Sequence, residues 1–359
     1  MDYLIDIVGT CNLKCPSCPV GNFSNSDFAE AKRATGFMEF ELFEKIVAKA
    51  QQDCIVRGEP ILVHLYNWGE ALIHPRIVDF VSLLSQKRIP FHISTNMNNE
   101  APLKQIVRTG PASFRISVSG FSQETYSQGH VGGDSNLLIS NMYRLRHAMD
   151  HCDSKMPVEV YYHVYKDNCG EDLLRMAELS DSLGFYFHPG WAYFMGFEKV
   201  LAYLAGTPKF SSKDQLTLNR TVLTLDESLA IAQEAHSPTC YLKTQQTVIN
   251  HDGSVALCCG VYDPIYFVSS DFLSVSDAEL QRKREQAEIC DTCMSHGMHD
   301  FGMYNPADLV DTVANRRQVE LGQRITTTMF SQPHIHVRRE SGLDKVRRSI
   351  SKVIPIKAH

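Results

Sequence analysis

The chain has 359 residues, of which 43% are hydrophobic and 21% are charged, and its formal net charge is −6. This length allows one large domain with a smaller one, and the composition excludes a disordered chain or a general nucleic-acid-binding protein. No apolar run approaches the roughly 18 residues of a membrane span, and the N-terminus lacks the features of a secretory signal. We therefore expect a cytoplasmic protein, in which eleven cysteines indicate metal or redox chemistry rather than disulfides.

From residue 3 to about residue 190, strand-like apolar runs alternate with amphipathic stretches. The predicted strands are Tyr3–Val8, Ile61–Tyr66, Phe91–Ser94, Phe114–Val118, Val158–Val164 and Phe185–Pro189. The predicted helices are Glu39–Gln52, Ile77–Lys87, Leu137–Met149 and Leu173–Leu183. This alternation predicts parallel strands with crossover helices, and about six units favour an α/β fold with a partial (β/α)6 TIM-type barrel over a full eight-fold one.

The remaining sequence predicts smaller units. Phe194–Asp226 interrupts the alternation of strands and helices with Gly, Pro and a polar run, so it predicts a linker or a substrate-covering segment. A helix is predicted next, at Asp226–His236. Asp252-Gly253 between the apolar runs Gln246–Ile249 and Ser254–Leu257 predicts a β-hairpin in a small α+β domain. The end of the chain is polar, basic and predicted to be helical. The predicted divisions are 1–193 (barrel), 194–236 (linker), 237–305 (small domain) and 306–359 (tail).

Three cysteines form a C-x3-C-x2-C loop directly after the first predicted strand: Cys11, Cys15 and Cys18. The loop lies at the C-terminal end of a parallel strand, where barrels place their chemistry. A four-iron, four-sulfur (4Fe–4S) cluster normally takes four thiolates, so three cysteines leave one iron without a protein ligand. An open metal position is typical of catalytic sites. The alternatives are a zinc site, which would want a fourth ligand, and a chance grouping.

This loop, in a chain of alternating strands and helices, resembles the radical S-adenosylmethionine (SAM) superfamily. The resemblance implies that Cys11, Cys15 and Cys18 hold a 4Fe–4S cluster whose open iron binds SAM. It also implies that an electron from the cluster cleaves SAM, and that the resulting deoxyadenosyl radical abstracts a hydrogen atom from a substrate.

The same resemblance assigns SAM contacts to the ends of the next predicted strands. Residues 67–70 stand where the family usually has Gly-Gly-Glu-Pro, and Trp68 and Ala71 depart from that pattern. An acid commonly stands at the position of Ser119. The implied SAM-binding residues are Asn67, Gly69, Glu70, Ser94, Asn96, Ser117 and Ser119. The serine pairs and Asn96 have a simpler alternative role, which is to end strands.

A second group of cysteines has the pattern C-x12-G-x4-C followed, after a gap, by C-x2-C. It is similar to the auxiliary-cluster modules called SPASM and twitch, and most similar to the shorter twitch form. The resemblance implies that Cys240, Cys258, Cys290 and Cys293 saturate a second 4Fe–4S cluster, while Cys259 stays a free thiol beside it. The alternative is a structural zinc site with four cysteine ligands.

A single auxiliary cluster suggests an oxidoreductase that dehydrogenates its substrate, with the auxiliary cluster as electron acceptor. The alternative outcome is epimerisation of a sugar or peptide, with Cys259 as hydrogen-atom donor. The chain begins at the first predicted strand, so we expect no separate peptide-binding domain before it and favour a small substrate such as a sugar or aminocyclitol. Alternatives of other classes are a zinc-stabilised binding module and a cluster protein that has lost SAM cleavage.

Dehydrogenation needs a base for the hydroxyl proton, and the late barrel strands supply the candidates His163, Tyr165 and His188, each of which has packing as its simpler role. The resemblance also implies an external one-electron donor such as flavodoxin or ferredoxin. We expect no nucleic-acid partner and no membrane span. The basic tail suggests a phosphorylated substrate, an acidic reductase or an anionic membrane, with a solvated helix end as the commoner explanation.

Overall fold

The computed structural model describes residues 1–22, 33–208, 210–234, 236–302 and 306–323, and the backbone of 325–328 and 334–337. Its main sheet contains nine of the described strands. In chain order they are β1 (Asp2–Ile5), β2 (Leu62–His64), β3 (Phe91–Thr95), β4 (Ser113–Val118), β5 (Val158–Val164), β6 (Tyr186–Trp191), β7 (Gln246–Ile249), β8 (Val255–Ala256) and β9 (Phe267–Ser269).

The first six strands form the barrel part of this sheet. They are parallel, each pairs with its neighbour in sequence, and the sheet order is β6-β5-β4-β3-β2-β1-β7-β8-β9. The sheet does not close on itself, so the predicted partial barrel is confirmed. The largest difference in strand length is at β2, which is Leu62–His64 rather than Ile61–Tyr66. Strand β1 ends at Ile5 rather than Val8, and Val8 instead forms a bridge with Phe37.

Helices join these strands. They are α1 (Pro19–Asn22), α2 (Phe40–Arg57), α3 (Ile77–Gln86), α4 (Leu103–Arg108), α5 (Gln123–Gly129), α6 (Ser135–His151) and α7 (Glu171–Ser182). The four predicted helices are present. Helices α4 and α5 were not predicted, because two turns are too short to display a 3.6-residue period.

The two faces of the sheet differ in chemistry. Phe114, Ile116 and Val118 of β4 are fully buried in the core shared with the helices. The alternate residues point to the opposite face, because successive side chains of a strand alternate. We call this opposite face the polar face. Its members on β2 to β6 are His64, His92, Ser94, Ser113, Arg115, Ser117, Glu159, Tyr161, His163, Tyr186 and His188.

The predicted hairpin is continuous with the barrel sheet. Strand β7 pairs in parallel with β1, from Asp2 opposite Gln246 to Ile5 opposite Ile249, and β8 pairs with β7 in antiparallel orientation as predicted. Gly253 has a φ of +85° in the turn between them, which explains the glycine. The second cysteine group therefore lies on strands and loops that continue the sheet of the first group.

Residues 194–236, which we call the covering segment, are more regular than the sequence predicted. Besides the predicted helix, observed as α10 (Leu225–Glu234), the covering segment contains α8 (Phe197–Leu204) and α9 (Ser212–Arg220). Part of the predicted polar run begins α9, where Ser211 and Asp214 form a capping box. The Asp214 carboxylate also accepts a buried 2.8 Å hydrogen bond from Lys199, which fixes α9 against α8.

Further helices follow the covering segment: α11 (Tyr241–Thr244), α12 (Asp277–Glu285), α13 (Glu288–Ser295), α14 (Met298–Phe301) and α15 (Ala307–Glu320). The expectation of a helical tail is wrong in part, because β10 (Ile325–Thr328) and β11 (His334–Val337) form an antiparallel pair after α15. The basic residues from Arg338 onward lie outside the described residues. Within the described residues, no helix combines the length and the hydropathy that crossing a bilayer requires.

Candidate active site

The loop of the first three cysteines follows β1, as predicted. Backbone N–H groups point at its sulfur atoms. The Leu13 N–H donates to Cys11 Sγ at 3.4 Å, and the N–H groups of Val20 and Gly21 bond the Cys18 sulfur. Burial raises the pKa of all three cysteines, and in Cys15 the neighbouring thiolates of Cys18 and Cys11 raise it further.

This donor set fits an iron–sulfur cluster. Three thiolates close together in a partly buried loop repel one another unless a cation is bound, and N–H groups that bond sulfur are a feature of cluster sites. The end of β3 completes the loop, because the Asn96 side-chain amide donates to Cys11 Sγ at 3.5 Å and to Asn12 Oδ1 at 2.9 Å. Asn96, predicted as a SAM contact, is thus in place beside the cysteines.

The loop of residues 67–70 is held against β1 by a buried carboxylate. Asp6 accepts hydrogen bonds from the backbone N–H groups of Trp68 and Gly69, at 3.1 to 3.2 Å. A Cβ at Gly69 would lie 1.6 Å from the Val8 carbonyl oxygen, so only glycine fits here. Burial raises the pKa of Asp6 to about 6, although Arg33, 3.8 Å away, opposes that shift.

Glu70 is also buried, and both of its carboxylate oxygens accept backbone hydrogen bonds. Oε1 accepts from the Leu72 N–H at 3.0 Å and Oε2 from the Asn96 N–H at 2.7 Å. Burial raises its pKa. Glu70 therefore ties the 67–70 loop to the end of β3, close to the residue that contacts Cys11.

The predicted serines occupy different surroundings. Ser94 and Ser117 are half-buried on the polar face. Ser119 is fully buried, and its Oγ lies 2.5 Å from Nδ1 of the buried His130. Burial and the neighbouring His163 lower the pKa of His130 to about 3. Ser119, at the position where the sequence resemblance would place an acid, is thus paired with a neutral His130.

The second group of cysteines lies at a cavity of about 300 Å³. All four predicted ligands line it: Cys240, Cys258, Cys290 and Cys293. Backbone N–H groups again bond sulfur, from Gly260 to Cys258 and from His299 to Cys293. Burial raises the pKa of each of these thiols, and the proximity of other cysteines raises it further in Cys258, Cys290 and Cys293. This set of four thiols fits a fully ligated cluster.

Cys259 lines the same cavity. Its backbone N–H donates to the Gln246 side chain at 3.3 Å. Burial raises the pKa of its thiol to about 11, opposed by a hydrogen bond with Gln246. Asn67 and Trp68 border this cavity as well, so the 67–70 loop lies between the two cysteine groups.

An ionic network crosses the polar face. The Arg115 Nε donates to Glu159 Oε2 at 2.5 Å, and Glu159 Oε1 lies 2.7 Å from His188 Nδ1. Burial would raise the pKa of Glu159, but His188 and Arg115 outweigh it and lower that pKa to about 2. The side chains are partly exposed, Arg115 by 42% and Glu159 by 26%. Arg115 and Glu159 were not predicted, although a charged residue between apolar strand residues was a visible signal.

The other two candidate bases lie on or near β5. Burial, reinforced by Arg115, lowers the pKa of His163 to about 4, so its imidazole is neutral at neutral pH. Burial raises the pKa of Tyr165, while its hydrogen bond with Ser17 of the cysteine loop opposes the shift. The Arg220 guanidinium lies 4.4 Å from the centre of the Tyr165 ring. Tyr165 is thus packed beneath the cysteine loop, whereas His163 and His188 belong to the polar face.

No family model matches the chain. A segment of 174 residues is 26% identical to the tungsten-containing aldehyde ferredoxin oxidoreductase cofactor-modifying protein of Pyrococcus furiosus. The match spans 47% of this chain and 45% of that protein, so it covers less than half of either.

Solved structures extend the similarity over most of the chain. Native anSMEcpe with bound AdoMet has a TM-score of 0.50 and 16% identity, covering 88% of this chain and 99% of that chain. BtrN in complex with AdoMet and 2-DOIA has a TM-score of 0.44 and 14% identity, covering 83% and 87%. SuiB of Streptococcus suis bound to S-adenosylmethionine has a TM-score of 0.47 and 12% identity, covering 82% and 72%. This chain therefore shares the fold of anSMEcpe, and its partial barrel agrees with the alternation of strands and helices in the sequence.

Proposed function

We propose that this chain is a radical SAM enzyme with one auxiliary cluster. The observation that carries the proposal is the three-cysteine loop after β1, where Asn96 bonds both Cys11 and Asn12. Three thiolates with converging N–H donors suit a cluster that keeps one iron for an exchangeable ligand. When bound, the cluster would supply the electron that cleaves SAM to a deoxyadenosyl radical.

The chain's own residues would shape the SAM site around that loop. Asp6 fixes the backbone of Trp68 and Gly69, and Glu70 ties that backbone to the end of β3. Ser94 and Ser117 would add polar groups on the polar face. Ser119, already paired with His130, would act by positioning that face rather than by a direct contact.

We propose that the reaction is dehydrogenation of a hydroxyl-rich small molecule, such as a sugar or aminocyclitol. The Arg115–Glu159 pair offers both donors and an acceptor on the polar face, a combination that suits hydroxyl groups. His188 would accept the hydroxyl proton, because Glu159 holds its Nδ1 and so orients the ring. Cys240, Cys258, Cys290 and Cys293 would hold the auxiliary cluster that accepts the electron remaining on the substrate radical after the hydrogen atom has left. An external donor such as flavodoxin or ferredoxin would supply the separate electron that cleaves SAM.

An epimerase is the second candidate, because Cys259 lines the cavity beside the four predicted ligands and would return a hydrogen atom. A peptide substrate fits this alternative as well as a sugar does. The zinc-binding module is less favoured, because the loop after β1 offers three cysteines, whereas a structural zinc site takes four protein ligands.

The test is iron and zinc content after anaerobic reconstitution, followed by an assay for deoxyadenosine with SAM and a strong reductant. We expect about eight irons per chain, four for each cluster, and deoxyadenosine above the level without reductant. Zinc without iron, and no deoxyadenosine, would contradict the proposal.

A further inference from the structure

The cavity beside the auxiliary cysteines has two kinds of wall. One wall is the hairpin side, where Cys258, Cys259 and Cys290 pack with Leu257 and Val261 in a small apolar cluster. A second wall comes from the covering segment, whose residues are absent from that cluster apart from Phe197. Its members include Leu218 on α9, Leu223 between the helices, and Leu225 and Leu229 on α10. The cavity therefore extends beyond the cysteines and is also lined by residues of α9 and α10.

This second wall is fixed in place. Lys199 and Asp214 join α8 to α9 through their buried ion pair, and the Glu198 carboxylate accepts hydrogen bonds from the backbone N–H groups of Tyr262 and Asp263. On α10, Glu227 bonds Arg317 of α15 at 2.7 Å. An apolar surface held by such contacts is a preformed pocket wall of the kind that ligands use.

The cavity adjoins the polar face at Tyr66. Tyr66 lines the cavity, and its hydroxyl lies 3.0 Å from Nδ1 of His64. The ring of His64 in turn stacks on that of His92, with 5.1 Å between centroids. A ligand on the polar face that reached past Tyr66 would leave polar surroundings and enter apolar ones.

We infer that the ligand of this site is amphiphilic, with a hydroxyl-rich head on the polar face and an alkyl or isoprenoid chain against Leu223, Leu225 and Leu229. The inference rests on the proposed function for its placement of the head. It extends that function by naming a lipid-linked sugar or cyclitol as the substrate class. A free sugar would leave the leucine wall without an apolar partner.

The experiment uses the reconstituted protein, in which the auxiliary cluster occupies its share of the cavity. Methyl, hexyl and octyl β-glucosides, each below its micelle concentration, are titrated by calorimetry. We expect affinity to rise roughly fourfold per added methylene, the effect of burying one CH₂ group, until the chain fills the cavity. Equal affinities for the methyl and octyl compounds would overturn the inference.

Two substitutions make the result specific. Leu229→Gln places an amide in the leucine wall and should flatten the dependence on chain length. Leu216→Gln is the matched control, because Leu216 lies on α9 but is 62% exposed and does not line the cavity. The inference would also be overturned if Leu229→Gln left the dependence of affinity on chain length unchanged. The same holds if Leu216→Gln removed that dependence as fully as Leu229→Gln does.

The same titration separates this inference from the proposed function. If binding depends on chain length but the protein forms no deoxyadenosine, the apolar ligand site is supported and the proposed enzyme activity is rejected. If the protein forms deoxyadenosine but binding does not depend on chain length, the enzyme activity is supported and the amphiphilic ligand is rejected.

Discussion

The two cysteine groups share one sheet but differ in what surrounds them. The first, with three cysteines, lies where the side chains of Asn96 and Glu70 and the backbone of the 67–70 loop meet. The second, with four cysteines, lines a cavity whose other walls are mostly apolar side chains. These surroundings support the proposal that the first group offers an open iron to a polar ligand, and that the second holds a saturated cluster at the side of an apolar cavity. The group with three cysteines thus has polar neighbours, and the group with four has mostly apolar ones.

The largest expected effect is loss of SAM cleavage from the first group alone. Cys15→Ala leaves two thiolates, too few to hold a cluster with one open iron, so deoxyadenosine should fall to background. Cys290→Ala should remove about half of the iron but keep reductive SAM cleavage, because its ligand set is separate. The measurement is iron content together with deoxyadenosine yield after reconstitution.

The control for both variants is Cys152→Ala, since Cys152 is half-buried at the end of α6 and far in sequence from both groups. Equal loss of deoxyadenosine in Cys15→Ala and Cys290→Ala would mean that the two groups do not act separately.

The second prediction distinguishes the adjacent cysteines of the second group. Cys258→Ser should lose about four irons per chain, because that thiol is a predicted ligand. Cys259→Ser should keep about eight, since it would change only the free thiol. A reversed result would exchange the two roles and remove Cys259 as the hydrogen-atom donor of an epimerase.

The cysteines could be predicted from sequence because their spacing is local and their chemistry is specific. The strands and longer helices could be predicted for the same reason, since periodicity is read within a dozen residues. The pairing of β1 with β7 could not, because it joins residues more than 240 positions apart and no local pattern encodes it. Asp6, Arg33 and the Arg115–Glu159 pair were missed likewise, because their roles depend on partners from distant elements.

The third prediction concerns Arg33, which connects the two regions. Its guanidinium donates to Asn250 Oδ1 at 2.7 Å, lies 4.4 Å from the centre of the Tyr262 ring and faces Asp6. Arg33→Met would leave the buried Asp6 without its cation, at a cost of about 3 kcal/mol in the free energy of unfolding. The measurement is denaturant unfolding of the reconstituted protein at pH 7.

Arg175→Met is the matched control for Arg33→Met. Arg175 also lies over an aromatic ring, 4.1 Å from the centre of Phe121, but it is exposed on α7 and no buried acid depends on it. We expect a change below about 0.5 kcal/mol for this exposed residue. Similar losses in both variants would show that Arg33 contributes only packing.

The smallest expected effect is a pKa shift on the polar face. Burial and the charge of Arg115 lower the pKa of His163 to about 4, so Arg115→Met should raise it, while burial keeps it below the ordinary value of 6.5. The measurement is a pH titration of the His163 ring resonance, assigned from its absence in His163→Gln. The folded pKa is the lower one, so His163 contributes stability above pH 6.5 that is lost as the pH falls through 4. Arg115→Met should reduce that loss. An unchanged titration would mean that burial alone sets the His163 pKa and that the charge of Arg115 does not affect it.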